Sequence, residues 1–303
     1  MTAAELLDRS CPLCGCSDYQ NEVASNRSAE SLSFEDLRRH WATFSDEKIF
    51  FTYARCKNCE LLFTPKFFSE QQLELLYGDL PPNMGTAGDV AIEATQRGYF
   101  DSAMKSGDLG GGFLELGPDV GHIARYAADS GKFDNFWLYE PNEAVHPQLA
   151  AAAKDFPAHV SAGMSDLSAV PDGSVGLAVM VHVLDHLIDP GAILEQIYAK
   201  LRLDGALLIV THNEQSLLRK VLGKRFPPFC LQHPELYNPK SIERFLKKHG
   251  FRDVAVQRSV NHFPLPFLGQ YAAHTLGLQV KRVPLPNIKL GLRLGNILTI
   301  ARR

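Results

Sequence analysis

Apolar positions along this chain keep two different rhythms, one before about residue 79 and one after residue 110. Phe34, Leu37, Trp41 and Phe44 fall near helical spacing, and Ser33 with Asp36 forms a capping signature, so 33–44 is expected to be helical. A second helix is expected over 69–76, ended by Gly78. Residues 79–88, rich in Pro and Gly, read as a linker. From Gly110 onward, short apolar runs alternate with amphipathic stretches. The runs 113–116, 136–139, 177–181 and 206–210 are strand-like. Helices are expected over 120–130 with Gly131 as stop, in the Ala-rich run around Ala150, and along the face bearing Ile193, Leu194, Ile197, Tyr198 and Leu201. A further helix should span 241–249, closed by Gly250, and the last strands 254–260 and 296–301. Between those strands lies a lid-like insertion, 263–294, with a helix around Leu268, Tyr271, Ala272, Thr275 and Leu276. Strand-helix alternation at this spacing specifies an α/β fold, a doubly wound sheet covered by helices on both faces.

Length and composition narrow the class. The 303 residues suffice for one full α/β domain plus a smaller module, and 45% apolar with 21% charged residues is ordinary for a globular chain. The formal net charge is −3. The basic spots Arg38-Arg39, Arg219-Lys220 with Lys224-Arg225, Lys247-Lys248 and Lys281-Arg282 are short and separate. They read as solvated helix faces and not as the continuous stripe that phosphate backbones require, which argues against nucleic acid as partner. No apolar run approaches the length of a membrane span. Residues 1–8 look helical and lack the basic start and apolar centre of a secretory signal, so a cytoplasmic protein is expected.

Five of the six cysteines lie in the first sixty residues. In a reducing compartment this clustering points to metal and not to disulfides. Cys11-Pro-Leu-Cys14 and Cys56-Lys-Asn-Cys59 are two CxxC knuckles supplying four soft ligands, the set suited to a closed, structural, tetrahedral zinc site. Cys16 is out of spacing. The long stretch between the knuckles must hold the inserted helix. The expected organisation is a zinc-binding head over 1–65, a helical linker over 66–107 and the α/β domain over 108–303.

The run Phe113-Leu-Glu115-Leu-Gly117-Pro-Asp119-Val-Gly121-His122 follows a strand and opens a helix, where glycines let backbone approach a ligand at unpaired helix amides. The next strand ends in Glu140-Pro141, and an acid there can accept hydrogen bonds from ribose hydroxyls. These residues resemble the class I S-adenosylmethionine-dependent methyltransferases, whose first motif is an acid followed by Gly-x-Gly-x-Gly; Asp119 takes the central glycine position. Ser165-Asp166-Leu167 matches the family's acid near the adenine. His182-Val-Leu-Asp185-His186-Leu-Ile-Asp189-Pro190 is similar to its fourth-strand motif, with Asp185 for the usual Glu and Gly176 where an Asp often starts the strand. Leu203-Asp204-Gly205 and the ending from Leu294 resemble the turn into strand five and the antiparallel last strand. The resemblance covers 110–303 and implies a seven-stranded Rossmann-like methyltransferase sheet. It also implies S-adenosylmethionine as cofactor, held by Glu115, Gly117, Asp119, Gly121, His122, Glu140, Pro141, Asp166, Leu167 and His182. The paired cysteines ahead of it look like a zinc-headed subgroup that includes sugar C-methyltransferases.

Methyl transfer from a sulfonium is an in-line displacement, so the protein must align the acceptor and remove its proton where needed. The run His233-Pro-Glu-Leu-Tyr237-Asn238-Pro-Lys-Ser241 is similar to the subgroup's segment carrying a general-base His, although Gln232 replaces an acid and Cys230 a Tyr. His233 is therefore the candidate base, with Tyr237 and His182 as alternative catalytic residues. His186, His212 and Asn213 are candidate acceptor contacts. The expected function is methylation, at O or C, of a small hydroxylated molecule or sugar. The competing readings are an RNA base methyltransferase using the zinc module for RNA, and a protein that binds the cofactor without catalysis, suggested by Asp119, Gly176 and Gln232.

Overall fold

The computed structural model describes residues 4–41, 48–78, 89–275, 283–286 and 288–303. The expected linker 79–88, Phe44, Leu276 and the Lys281-Arg282 pair lie outside these residues. The N-terminal part contains strand β1 (Leu7–Asp8), β2 (Tyr19–Val23), helix α1 (Phe34–Arg39), β3 (Tyr53–Cys56), β4 (Leu62–Phe63), β5 (Lys66–Phe67), α2 (Glu70–Gly78) and α3 (Asp89–Met104). The Ser33 hydroxyl accepts from the Asp36 amide at 3.2 Å, which starts α1 where the capping signature placed it. The expectation of helix over 1–8 fails at its end, because Leu7 and Asp8 pair with Phe67 and Lys66 as antiparallel strands.

The α/β part runs β6 (Gly111–Leu116), α4 (His122–Ser130), β7 (Phe133–Tyr139), α5 (His146–Ala152), β8 (Ala158–Ser161), β9 (Val175–Val181), α6 (Pro190–Lys200), β10 (Leu201–His212) and α7 (Leu217–Leu222). It continues with β11 (Glu235–Leu236), α8 (Pro239–Lys248), β12 (Arg252–Arg258), β13 (Asn261–Pro264), α9 (Leu265–Thr275), β14 (Lys289–Leu292) and β15 (Asn296–Arg302). Seven strands form one sheet in the order β12-β15-β10-β9-β6-β7-β8. β6 to β10 are parallel, and β15 inserts antiparallel between β10 and β12. The central strand β9 is buried along nearly its whole length, which is why its sequence, apart from Gly176, is Val, Leu, Ala and Met without alternation.

Helices close both faces of this sheet. In α8, Ile242, Phe245 and Leu246 face the core at i, i+3 and i+4, while Lys247 and Lys248 remain outside. That helix starts two residues before the expected Ser241. Asn238 caps the amides of Lys240 and Ser241, and Pro239 takes the first helical position, where its missing N–H costs nothing. Leu201, expected on a helical face, instead begins β10 and pairs with Val175. Within 263–294 the described residues form α9 and a hairpin of β13 with β14, a pairing that periodicity did not reveal.

A second sheet has the order β11-β4-β3-β2. Its edge strand β11 comes from the chain beyond β10, not from the N-terminal part, with Glu235 opposite Phe63 and Leu236 opposite Leu62. Cys11, Leu13, Leu61 and Phe63 accordingly share one apolar cluster with Tyr237, Ile242 and Phe245.

Candidate functional site

At the carboxyl end of β6 the chain turns through Gly117 and Gly121, with φ of 63° and 76°. A side chain at Gly117 would place its Cβ 2.5 Å from Val183 Cγ2, and one at Gly121 would lie 2.9 Å from Leu149. Both turn geometry and close packing therefore require glycine. Asp119 adopts φ of 50°, a left-handed conformation that Asp tolerates better than most residues, so it can occupy the central glycine position. Its amide donates to Glu140 Oε2 at 2.9 Å, and the Asn142 amide donates to Glu140 Oε1 at 3.0 Å. Those two bonds aim the Glu140 carboxylate at the glycine turn.

Glu115 is 2% exposed, and its Oε2 has no partner among the described residues. Burial pushes its carboxyl up to about 8, and burial together with Glu140 raises Asp119 to about 6. A turn that a Cβ would fill, an oriented acid and an unpaired buried carboxyl oxygen fit a ligand carrying ribose hydroxyls and an amino group.

The remaining residues expected to hold cofactor divide into two positions. His122 opens α4 beside Glu93, its Nδ1 3.8 Å from Glu93 Oε1, and Pro141 follows Glu140. Asp166 and Leu167 lie on the loop after β8. Leu167 is buried and its amide donates to Gln196, whereas Asp166 is exposed and accepts from Ser168.

The ends of β9 and β10, with the segment that precedes β11, bring four imidazoles around one carboxylate. His182 leaves β9 with φ of 54°, a strained value for a residue with a side chain, and its backbone N–H donates to Val210 O at 2.8 Å. Its ring stacks on His212 at 4.5 Å; His212 lies 4.9 Å from His233, and His233 4.5 Å from His186. Asp185, fully buried, accepts from the His212 amide at 3.3 Å. Burial would raise this carboxyl, but the surrounding imidazoles, His212 and His233 foremost, hold it at about 2.

His233 is 5% exposed, and both its ring nitrogens are engaged. Nδ1 donates to Pro228 O at 2.7 Å with Cys230 Sγ at 3.2 Å, and Nε2 meets His186 Nε2 at 3.0 Å. Since Nδ1 carries the hydrogen, neutral His233 has a bare Nε2, and His186 must donate to it from its own Nε2. His186 Nδ1 then accepts from the Tyr77 hydroxyl at 3.0 Å. Tyr77, His186 and His233 thus form one directed chain. Burial alone would depress His233, but Cys230 beside it and Asp185 raise it to about 9; burial and His233 push His186 down to about 3.

Tyr237 is fully buried and stacks on Phe245, and Asn213 turns its Oδ1 back to the Gln215 amide. Neither joins the imidazole cluster. Tyr77, Asp185, Cys230 and Asn296 do stand in or beside it. Of these only Asp185 and Cys230 left a mark in the sequence, as departures from the family pattern.

The N-terminal part grips the segment carrying His233. Tyr53 donates to His233 O at 2.7 Å, the Thr64 amide to Pro234 O at 2.8 Å, and Lys48 to Phe226 O at 2.6 Å. Arg9 pairs with the buried Glu235 at 3.0 Å and reaches Ile188 O at 3.0 Å. Beside this clamp Cys11, Cys14, Cys56 and Cys59 bring their sulfurs within 4.8 Å of one another, with 3.3 Å from Cys11 to Cys59 and 3.5 Å from Cys14 to Cys56. Amides of Leu13 and Cys14 point at the Cys11 sulfur, and those of Asn58 and Cys59 at Cys56. Four thiolates on one zinc at about 2.3 Å stand roughly 3.8 Å apart, so modest opening of these distances accommodates the ion. Cys16 lies aside, 3.4 Å from the Asp18 amide.

The chain is similar in fold to an S-adenosylmethionine-dependent methyltransferase from Archaeoglobus fulgidus, at 16% identity over 70% of this chain and 93% of the other, with a TM-score of 0.48. An S-adenosylmethionine-dependent methyltransferase from Mesorhizobium loti is similar at 16% identity, covering 67% and 96% of the two chains, with a TM-score of 0.46. No curated protein matches. The sequence profile of the methyltransferase domain matches residues 95–256, more than half the chain and all of the glycine turn and imidazole cluster up to His233. The protein therefore belongs to the class I S-adenosylmethionine-dependent methyltransferases.

Proposed function

We propose that this enzyme methylates a small hydroxylated molecule, in the manner of the sugar methyltransferases, at O or C, with the imidazole cluster as its proton-removing machinery. The observation that carries this reading is the cluster's place: it lies at the carboxyl ends of β9 and β10, next to the glycine turn through the Gly117–Val183 contact. Ligands of open α/β sheets bind at that end. When bound, S-adenosylmethionine supplies an electrophilic methyl group. Glu115, Gly117, Asp119, Gly121, His122, Glu140, Pro141, Asp166 and Leu167 would hold it, and His182 would stand between cofactor and acceptor.

His233 serves as the base through the chain already described. The Tyr77 oxygen takes the acceptor's proton as its own hydrogen passes to His186 Nδ1, and the His186 Nε2 hydrogen passes to His233 Nε2. His186 conducts without trapping because burial makes its cation unfavourable, while His233 retains the proton. Tyr237, buried against Phe245, and Asn213, bonded to the Gln215 amide, take no part in this chain. The four cysteines hold a structural zinc, and the head they close holds His233 in place. Scattered basic spots and a deep cluster suit a small acceptor better than RNA.

Two measurements bear on this reading. Glu140→Ala should weaken S-adenosylmethionine binding by roughly 1–3 kcal/mol, since the buried partners of a lost carboxylate go unpaired; calorimetry showing unchanged affinity would remove Glu140 from the site. Mass spectrometry of small metabolites from cells with and without the protein should show a compound heavier by one methylene unit. Methylation confined to RNA would contradict the proposed acceptor class.

A further inference from the structure

The imidazole cluster contains a second hydrogen-bond system that the base chain does not use. Asn296 opens β15 opposite His212 in register, and its side chain lies between two rings. His212 Nδ1 is 3.0 Å from Asn296 Oδ1, and Asn296 Nδ2 is 3.2 Å from His182 Nε2. An amide carbonyl can only accept and an amide nitrogen can only donate. His212 must therefore carry its hydrogen on Nδ1, leaving Nε2 as a bare lone pair. His182 must accept at Nε2, leaving Nδ1 as N–H. Burial disfavours the cation of both rings, and one amide gives their other ring nitrogens opposite character.

Two atoms of this system lack partners among the described residues: His182 Nδ1 and Oδ1 of Asp185, a residue with no exposed surface. Buried polar atoms left unpaired are costly, so the site is built for a group that satisfies them. One ligating atom each of His182, Asp185 and His212 lie within 4.8 Å of one another. Two hydrogen bonds of about 2.8 Å to one oxygen span about 4.6 Å, a spacing of the size that separates the ligating atoms of these three residues. A metal ion would need both rings to present lone pairs, and the shared amide denies that to one of them.

We infer that Asn296 is a positioning residue that fixes the tautomers of His182 and His212, so that the pair recognises one hydroxyl of the acceptor. His182 Nδ1–H donates to the hydroxyl oxygen, and the hydroxyl hydrogen is accepted by His212 Nε2 or Asp185 Oδ1. This deepens the proposed function by naming the group recognised. It rests on that reading for the identity of the ligand, but not for the tautomers.

The test is long-range nitrogen–proton correlation spectroscopy on the full-length, zinc-replete protein labelled with nitrogen-15 in histidine. In the wild type, His182 and His212 should both appear as neutral rings with hydrogen on Nδ1. In Asn296→Asp the new carboxylate accepts from both rings, so His212 should be unchanged while His182 moves its hydrogen to Nε2. Once an acceptor is in hand, Asn296→Asp should raise its KM at least about tenfold with cofactor affinity unchanged, a split that loss of folding would not produce. Hydrogen on Nε2 of either ring in the wild type would overturn the proposal, as would His182 unmoved in Asn296→Asp or stoichiometric cobalt(II) uptake beyond the cysteine site. None of these spectra depends on methyl transfer, so their failure leaves the enzyme's activity unquestioned, and absence of any acceptor leaves the tautomer assignment standing.

Discussion

His233→Ala is expected to lower turnover by about 10²–10⁴-fold, the usual loss on removing a general base, while S-adenosylmethionine affinity stays nearly unchanged. The separation follows from position, since His233 lies on the segment beyond β10 and the cofactor residues lie at the ends of β6 and β7. The pH dependence provides a second readout. A base works unprotonated, and His233 is raised to about 9, so wild-type turnover should climb with pH toward that value. Cys230 is the largest of the influences raising it, acting against burial, with Asp185 also contributing. Cys230→Ala should move the climb to lower pH, and His233→Ala should abolish it. Near-normal turnover and an unchanged profile in His233→Ala would transfer the role to another imidazole of the cluster.

Cys56→Ser is expected to release the zinc and unfold the head, because binding of structural zinc, worth about 10–16 kcal/mol in small domains, is coupled to folding. Cys11→Ser should do the same. The consequence should reach further than a detachable module would allow. β11 completes the sheet of the head, and Tyr53, Thr64 and Arg9 anchor the segment from His233 to Glu235. Zinc loss should therefore remove methyl transfer even where the cofactor still binds. Elemental analysis of freshly reduced protein should give about one zinc per chain. No zinc, or full activity after its removal, would contradict the clamp.

Much of the sheet was legible in the sequence because buried parallel strands are nearly unbroken apolar runs, as in β9, and because Gly117 and Gly131 mark conformations other residues avoid. The elements misjudged were those decided by tertiary partners. Leu7–Asp8 and Glu235–Leu236 become strands only because distant residues offer open edges, and two residues carry no periodicity. His182, His186 and His212 could be named from their strand ends, and His233 from the family segment it resembles. Their wiring could not, since it depends on Tyr77 and Asn296, which ordinary neighbours surround in sequence and which meet the cluster only in space. Cys230 was visible as a departure from the family segment, but its effect on His233 required the 3.2 Å contact.

The most direct test of the account is transfer of a deuterated methyl group from labelled S-adenosylmethionine into a mixed extract of small metabolites, polypeptides and RNA. Purified wild-type protein should place the label on a small hydroxylated compound, and His233→Ala should place almost none there. Label appearing instead in RNA or polypeptide, or equal labelling by the two proteins, would contradict it.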